Sequence, residues 1–164
     1  MRRLLSFPNP VNEIAARTVA AGVLVLTVVE LSTRTRWLLI PLAYGFVARV
    51  LTGPKLSPWA FAVTRVIVPR LPFAERPTPG PPKRFAQGIG AVLSTAALAA
   101  WAIAGWNLAA DVLVGMIVVA ATLESVFGIC LGCKAFARLM RAGVIPESVC
   151  EECADISRRL SRAA

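Results

Sequence analysis

The segment VLVGMIVVAATLESVFGICLGC (Val112–Cys133) decides the fold class, because Glu124 is the only charged residue in an otherwise apolar run. A bilayer with a hydrocarbon core of about 30 Å requires about 20 such residues in a helix. Asp111 precedes the segment and Lys134 follows it, so charged residues mark both of its ends. The sequence therefore predicts a transmembrane helix over about 112–133.

The composition of the whole chain indicates a membrane protein with further spans. Its 164 residues are 57% hydrophobic and 16% charged, and the mean hydropathy is +0.67, whereas soluble domains contain about 45–50% apolar residues. Three more apolar runs of helical length lie at about 11–31, 37–51 and 85–104. We therefore predict an all-α integral membrane protein in which residues 1–141 form a four-transmembrane-helix bundle.

The segments outside the four spans have patterns of their own. Apolar residues mixed with Arg65 and Arg70 over about 57–71 predict an interfacial helix that lies on the membrane surface. Five prolines within 72–82 predict a stiff, extended surface connection. Residues 142–164 form a short C-terminal tail that carries two cysteines.

The distribution of positive charge predicts the orientation in the membrane. The net charge is +9, and cytoplasmic loops of membrane proteins collect Lys and Arg. If both termini lie inside, 16 of the 18 basic residues are on the inner side and only Arg34 and Arg36 are outside. We therefore predict a multi-pass protein of the cell inner membrane with both termini and the interfacial helix on the cytoplasmic side. The lipid bilayer is then the expected partner, and no nucleic-acid partner is predicted, because topology accounts for the charge.

Charged residues inside the predicted spans are candidate functional groups, because an ionised side chain is costly in hydrocarbon. Glu124 lies near mid-bilayer, and Arg17 and Arg49, on other predicted helices, are its expected partners. A structural Glu–Arg pair and a path for protons or substrate are both open for these three residues. Glu30 and Asp111, at the outer helix ends, are expected to be solvated cap residues.

The four cysteines, all within the last 35 residues, form two C-x-x-C pairs, Cys130 with Cys133 and Cys150 with Cys153. In such a pair one thiolate attacks a disulfide or persulfide, and the other resolves the intermediate. The leading hypothesis is a membrane-anchored thiol protein on the cytoplasmic face, which exchanges electrons or sulfane sulfur with a soluble thioredoxin-like or rhodanese-like partner. Cys130 is the predicted attacking thiol, Cys133 its resolving thiol, and the tail pair a second relay.

Two other uses of the cysteines are open. The 16 residues between the pairs fit the spacing of a four-thiolate zinc site, with zinc as the cofactor and Cys130, Cys133, Cys150 and Cys153 as ligands. Small, soft cysteines also simply pack well between helices. Lasting structural disulfides are not expected in a reducing cytoplasm.

A further alternative uses the charged residues rather than the thiols. Arg17, Arg49 and Glu124 would line the path of a small transporter for a sulfur anion or a metal ion. Because four short helices are few for a carrier, this alternative requires a homo-oligomer. The chain has no histidine, hence no Ser/His/Asp arrangement, and it has no nucleotide-binding motif, so enzyme status stays open.

The course of the fourth predicted helix decides how reactive the first cysteine pair is. An unbroken helix from Val112 to Arg141 would be about 45 Å long, well beyond the bilayer core. It would also place the cysteines near its negative end, which disfavours thiolates. If Gly128 and Gly132 break the helix, a new helix that starts near Cys130 activates that thiol instead.

Three segments resemble a known family: GPKLSPWAFAVTRVIVPRL (53–71), PPKRFAQGIGAV (81–92) and FGICLGCKAF (127–136). Their order and spacing are similar to those of small bacterial membrane proteins that share domain of unknown function 4395. The similarity covers about Asn9 to Leu139, and the segment with the first cysteine pair is its most specific part. The resemblance implies a four-helix bacterial inner-membrane protein in which that pair matters, and it implies no established activity.

Overall fold

The computed structural model describes residues 7–72, 76–150 and 153, and this part of the chain is mostly helical. Its α-helices, in chain order, are α1 (Glu13–Thr33), α2 (Leu39–Thr52), α3 (Pro58–Ala62), α4 (Gly80–Ala102), α5 (Asn107–Ser125) and α6 (Leu131–Arg141). A 3-10 turn, Arg36–Leu38, leads into α2, and another, Glu147–Val149, follows α6. Two short strands, β1 (Val11–Asn12) and β2 (Pro77–Thr78), pair antiparallel.

Three of these helices are long and apolar enough to cross a membrane, judged by length and composition. They are α1 with 21 residues, α4 with 23 and α5 with 19, and a helix of 20 residues spans about 30 Å. The second predicted span corresponds to α2, whose 14 residues extend only about 21 Å. The described residues therefore contain three candidate spans of full length instead of the expected four.

The helices form a bundle around α4, which packs against α2, α5 and α6, while α1 packs against α5. The rings of Trp37 and Trp101 are 5.6 Å apart, and Arg49 Nε lies 2.8 Å from Gln87 Oε1. Because Trp37 precedes Arg49 whereas Trp101 follows Gln87, α2 and α4 run in opposite directions. We call the end with the two tryptophans the tryptophan end, and the opposite end, which also holds Cys130, the cysteine end.

The apolar core lies between α1, α2, α4 and α5. Its buried members are Val23, Leu39, Leu42, Phe46, Ala97, Ala110, Val114, Ile117 and Ala121. Small residues allow the helix backbones to approach closely, as in many membrane bundles. Gly90 of α4 is such a position, since a Cβ atom there would collide with the buried ring of Phe46.

The segment predicted as an interfacial helix is helical, because α3 continues through a π-helical turn (Val63–Ile67) and a 3-10 turn (Val68–Arg70). Its Ala60 and Val63 are buried against Ala15 and Val19 of α1. The apolar side of this segment is thus partly covered by protein. Its position on a membrane surface stays a prediction.

Two predicted helix boundaries differ from the observed ones. The third predicted span began at 85, but α4 begins at Gly80, because two prolines occupy its first turn, where a missing N–H costs little. The extended connection predicted for the proline-rich segment therefore ends earlier than expected. The fourth predicted span ran to 133, whereas α5 ends at Ser125.

An ion-pair cluster closes the tryptophan end. Arg36 contacts Glu30 at 2.8 Å and Asp111 at 2.6 Å, and Arg34 also pairs with Asp111. Arg34 has a left-handed backbone conformation, with φ of 56°, and this turn brings Arg36 back toward the end of α1. Glu30 is only 1% exposed, so the expectation of a solvated cap residue is wrong for Glu30. Asp111 forms ion pairs with two arginines.

We predict opposite effects of the same substitution at two positions of α4. Gly90→Ala forces the ring of Phe46 out of its packed position and should destabilise the protein by about 1–3 kcal/mol. Gly88→Ala meets nothing within 4 Å and should be neutral or stabilise the helix by about 0.5–1 kcal/mol. Denaturant unfolding of the purified protein in detergent, followed by circular dichroism, measures both, and equal effects would contradict the packing.

Candidate functional site

The helical conformation is interrupted between α5 and α6, directly before the first cysteine pair. Gly128 has a φ of +68°, which an L side chain rarely adopts, and Ile129 N–H donates to the carbonyl of Leu123 at 2.8 Å. The chain then turns, and α6 starts with Cys130 as its N-cap residue. Of the two courses that the sequence left open, the structure adopts the break.

The N-cap position determines the surroundings of the Cys130 thiol. Its Sγ accepts a hydrogen bond from the backbone N–H of Cys133 at 3.3 Å, and the Cys133 thiol donates to the same sulfur at 2.6 Å. Cys130 is 9% exposed, whereas Cys133 is more accessible. The positive end of α6 therefore points at Cys130 and favours its thiolate.

The pKa values of the two thiols of the first pair are shifted in opposite directions. The hydrogen bond from Cys133 lowers the pKa of the Cys130 thiol, and the ammonium group of Lys83 acts in the same direction, against burial and the Glu124 carboxylate. The same hydrogen bond, followed by burial, raises the pKa of the Cys133 thiol. Cys130 is thus suited to attack as a thiolate, and Cys133 holds the proton.

A buried ion pair lies next to these thiols. Lys83 Nζ, at the start of α4, contacts Glu124 Oε1, near the end of α5, at 2.7 Å, and Lys83 is 7% exposed. The expected partners of Glu124 were Arg17 and Arg49, but the direct partner is Lys83. Sequence reasoning missed Lys83 because it placed the residue in the connection before the third span. The PPKR stretch at a helix start was the available signal.

Arg17 has a different role from the one predicted. Its guanidinium group donates to the carbonyl of Ser125 at 3.2 Å and to that of Val126 at 2.9 Å. These carbonyls belong to the C-terminus of α5, where helix carbonyls lack intrahelical partners. Arg17 thereby caps α5 at the point where the helix ends.

Arg49 is buried inside the bundle at the cysteine end and is 6% exposed. It donates to Gln87 Oε1 at 2.8 Å and to Ser57 Oγ at 3.4 Å, and its guanidinium carbon lies 4.5 Å from the centre of the Phe46 ring. In the described part of the chain no carboxylate forms an ion pair with Arg49. The structure therefore does not join Arg17, Arg49 and Glu124 into one contact.

The tail pair forms a disulfide between Cys150 and Cys153, which differs from the expectation against lasting disulfides. After α6, Gly143 turns the chain with a φ of +74°, and the tail returns toward the start of α6. Cys150 is buried, while Cys153 lines a cavity of about 510 Å³ together with Cys130 and Cys133. The tail residues 151, 152 and 154–164, including the acidic neighbours of the disulfide, lie outside the described residues.

We call this space the thiol cavity. Lys83 and Lys134 also line it, and the charge of Lys83 acts on both thiols of the first pair. Both cysteines of the first pair thus reach a common space with Cys153 of the tail pair, although α6 and the following turn separate the pairs along the chain.

The described residues do not support the four-thiolate metal site. Across 7–72, 76–150 and 153, no three Cys, Asp or Glu side chains are grouped so that they could hold a metal ion. Two of the four expected ligands are joined in the Cys150–Cys153 disulfide.

The fold and the site together define a class of protein: a helical bundle with three candidate membrane spans and a thiol site at one end. The model of the family described as domain of unknown function DUF4395 matches residues 11–141. The chain therefore belongs to this family, as the sequence motifs predicted. No curated protein and no solved structure matches the chain.

We predict that Cys130 reacts before Cys133. In a Cys150→Ser/Cys153→Ser background at pH 7, iodoacetamide should alkylate Cys130 about tenfold faster, because its lowered pKa leaves more thiolate at that pH. Cys133→Ala removes the thiol that donates to Cys130, so the pKa of Cys130 should rise and its reactivity should begin at higher pH. Mass spectrometry of peptides measures both, and faster alkylation of Cys133 would contradict the assignment.

We also predict that Lys83 and Glu124 are energetically coupled. Glu124→Gln leaves a buried ammonium group without its counter-ion and should cost about 3–5 kcal/mol of unfolding free energy. A Lys83→Met/Glu124→Leu double variant should recover most of that loss, because well-packed apolar residues often replace a buried pair without cost.

The matched control for this cycle is the exposed pair at the other end of the bundle. The side chain of Arg34 is 64% exposed, so Arg34→Gln should change stability by less than about 1 kcal/mol. Denaturant unfolding in detergent of Lys83→Met, Glu124→Leu and their double variant closes the cycle and gives the coupling energy. Strictly additive losses at Lys83 and Glu124 would show that the contact does not stabilise the fold.

Proposed function

We propose that this chain is a membrane-anchored thiol protein that exchanges electrons between dithiols and disulfides on the cytoplasmic face. The observation that carries the proposal is the thiol cavity. There the activated Cys130 thiol, with Cys133 beside it, faces the same space as Cys153 of the tail disulfide. A thiolate close to a disulfide is the arrangement that exchange requires.

The exchange proceeds in two balanced steps. The Cys130 thiolate attacks Cys153 Sγ, a Cys130–Cys153 bond forms, the Cys150–Cys153 bond breaks, and Cys150 leaves as a thiolate. Cys133, after losing its proton, attacks Cys130 Sγ, and Cys153 leaves in turn. The first pair ends as a disulfide and the tail as a dithiol, so two electrons and two protons have moved between the pairs. The same two steps in reverse return the electrons and protons to the first pair.

A soluble partner completes the cycle. A thioredoxin-like dithiol protein would reduce or oxidise whichever pair is exposed to it, again by attack of one thiolate on a disulfide. A rhodanese-like partner would instead deliver sulfane sulfur to Cys130 as a persulfide. Lys83, whose charge favours the Cys130 thiolate, and Lys134, which also lines the cavity, support both uses, since positive charge stabilises attacking and leaving thiolates.

The placement in the bacterial inner membrane is part of the proposal. With its 3-10 lead-in from Arg36, α2 extends about 27 Å, which supports a short fourth span beside α1, α4 and α5. Four spans return both termini to one side, and the positive-inside rule makes that side the cytoplasm. The segment over 57–71 would then lie at the inner interface, with Arg65 and Arg70 toward the lipid headgroups.

We predict that Cys130 and Cys153 can be trapped as a mixed disulfide. In a Cys133→Ala/Cys150→Ala variant, mild oxidation should join Cys130 to Cys153 within the same chain, because both line the thiol cavity. Non-reducing peptide mapping by mass spectrometry measures the cross-link.

The matched control keeps the other tail cysteine. A Cys133→Ala/Cys153→Ala variant retains Cys130 and Cys150, and Cys150 is buried away from the lining of the thiol cavity. Its cross-link should form at least about tenfold more slowly. Equal rates, or no cross-link in either variant, would refute exchange between the pairs.

A further inference from the structure

Arg49 is a buried cation whose charge is not balanced by a direct contact. Its Nε and Nη1 atoms donate to Gln87 and Ser57, both of which are neutral, and among the described residues Nη2 has no hydrogen-bond partner. The nearby carboxylate of Glu124 is engaged with Lys83 at 2.7 Å, so that pair is neutral as a unit. A buried guanidinium group in such surroundings is suited to bind an anion.

Arg49 faces a cavity that also reaches the reactive thiol. We call this space of about 270 Å³ the inner cavity, and its lining includes Arg49, Gln87, Glu124 and Cys130. Cys130 therefore borders both the thiol cavity and the inner cavity. A small molecule held by Arg49 would share a cavity with the Cys130 sulfur.

A second cavity at the cysteine end is also lined by Arg49. A cavity of about 560 Å³, beside β1 and the start of α1, is lined by Arg49, Lys83 and Gln87. Arg49 and Gln87 thus form part of the walls of both spaces. The charge of Arg49 would attract an anion into either space.

We propose that the inner cavity binds a small sulfur oxyanion of the thiosulfate class, with Arg49 holding its anionic oxygen atoms and Cys130 accepting its sulfane sulfur. The ligand class follows from the two groups that share the cavity. Arg49 requires negative charge, and a thiolate nucleophile requires an electrophilic sulfur with a good leaving group. Thiosulfate combines both, because sulfite leaves when its sulfane sulfur is attacked. This inference rests on the thiol function proposed above and names its substrate.

The chemistry uses only thiosulfate and the two thiols of the first pair. The Cys130 thiolate attacks the sulfane sulfur, the S–S bond of thiosulfate breaks, and its electron pair leaves with sulfite, so that Cys130 becomes a persulfide. Cys133, as a thiolate, then attacks Cys130 Sγ, a Cys130–Cys133 disulfide forms, and hydrosulfide leaves. In total, thiosulfate and two thiols give sulfite, hydrogen sulfide and one disulfide. When the thioredoxin-like dithiol partner has reduced the tail pair, exchange would return the first pair to the dithiol and leave the tail as the disulfide.

The test is a single turnover of the full-length reduced protein in detergent without oxygen. After the reductant is removed, sodium thiosulfate is added, and sulfite and sulfide are measured together with the masses of the cysteine peptides. We expect a burst of one equivalent of sulfite per chain, followed by sulfide and, after exchange with the reduced tail pair, by a second equivalent of each. Cys133→Ala in the Cys150→Ser/Cys153→Ser background, which has no other thiol to resolve the persulfide, should still release sulfite, but it should retain the persulfide on Cys130 and release no sulfide. Absence of sulfite from the wild-type protein would overturn the proposal.

Two variants test the role of Arg49. Arg49→Gln should lower the rate of sulfite release at limiting thiosulfate at least tenfold, whereas Arg65→Gln, which removes an exposed charge from another segment, should leave it unchanged. Arg49→Lys, which keeps the charge, should retain a larger share of the rate than Arg49→Gln. Equal rates for Arg49→Gln and the wild-type protein would overturn the anion site.

A binding measurement on the wild-type protein does not depend on how well a variant folds. Sodium sulfate, which carries the same oxygen atoms but no sulfane sulfur, should protect Cys130 from anionic iodoacetate at least threefold more than from neutral iodoacetamide. Equal protection against both reagents, or none, would overturn the anion site.

The outcome for disulfide exchange separates this inference from the function on which it rests. If the Cys130–Cys153 cross-link forms but thiosulfate gives no sulfite, the substrate inference is wrong and the exchange function stands. If sulfite is released but the cross-link does not form, the relay between the pairs is wrong and the sulfur chemistry of Cys130 stands.

Discussion

The buried ion pair between Lys83 and Glu124 connects the first turn of α4 to the last turn of α5, and the geometry of the site depends on it. Two charges removed from water are tolerated only when they face each other with good geometry. The pair therefore fixes the position of the start of α4 relative to the end of α5. The chain leaves α5 directly after this contact. The position of Cys130 is therefore set relative to Lys83, whose positive charge stabilises its thiolate.

The interruption of the helix at Gly128 determines the chemical surroundings of Cys130. Arg17 of α1 binds the last carbonyls of α5, and a left-handed glycine then redirects the backbone. A continuous helix would have placed the cysteines at its negative end, whereas the break places Cys130 at the positive end of α6. Because α6 is short and packs on α4, the thiol stays close to the bundle and its cavities.

The sequence allowed most of the fold to be predicted, because hydrophobic run length is a local property. Three of the predicted spans correspond to helices of full length, and the second predicted span corresponds to the shorter α2. The predicted start of the third span was wrong because proline has two opposite effects. Proline breaks a helix in its interior but is tolerated in the first turn, and here two prolines lie in the first turn of α4, which begins at Gly80. The burial of Glu30 was missed for another reason, since Arg36 reaches it only through the turn after α1.

By itself, the sequence determined the helical class, the family and the residues that can do thiol chemistry, since each depends on residue type and on spacing along the chain. Only the tertiary structure decided that Lys83 faces Glu124, that Arg17 caps α5, and that Cys153 shares a cavity with Cys130. These contacts join residues far apart in sequence, and such distances are set by how helices pack and where they break. Neither follows from the periodicity of any single segment.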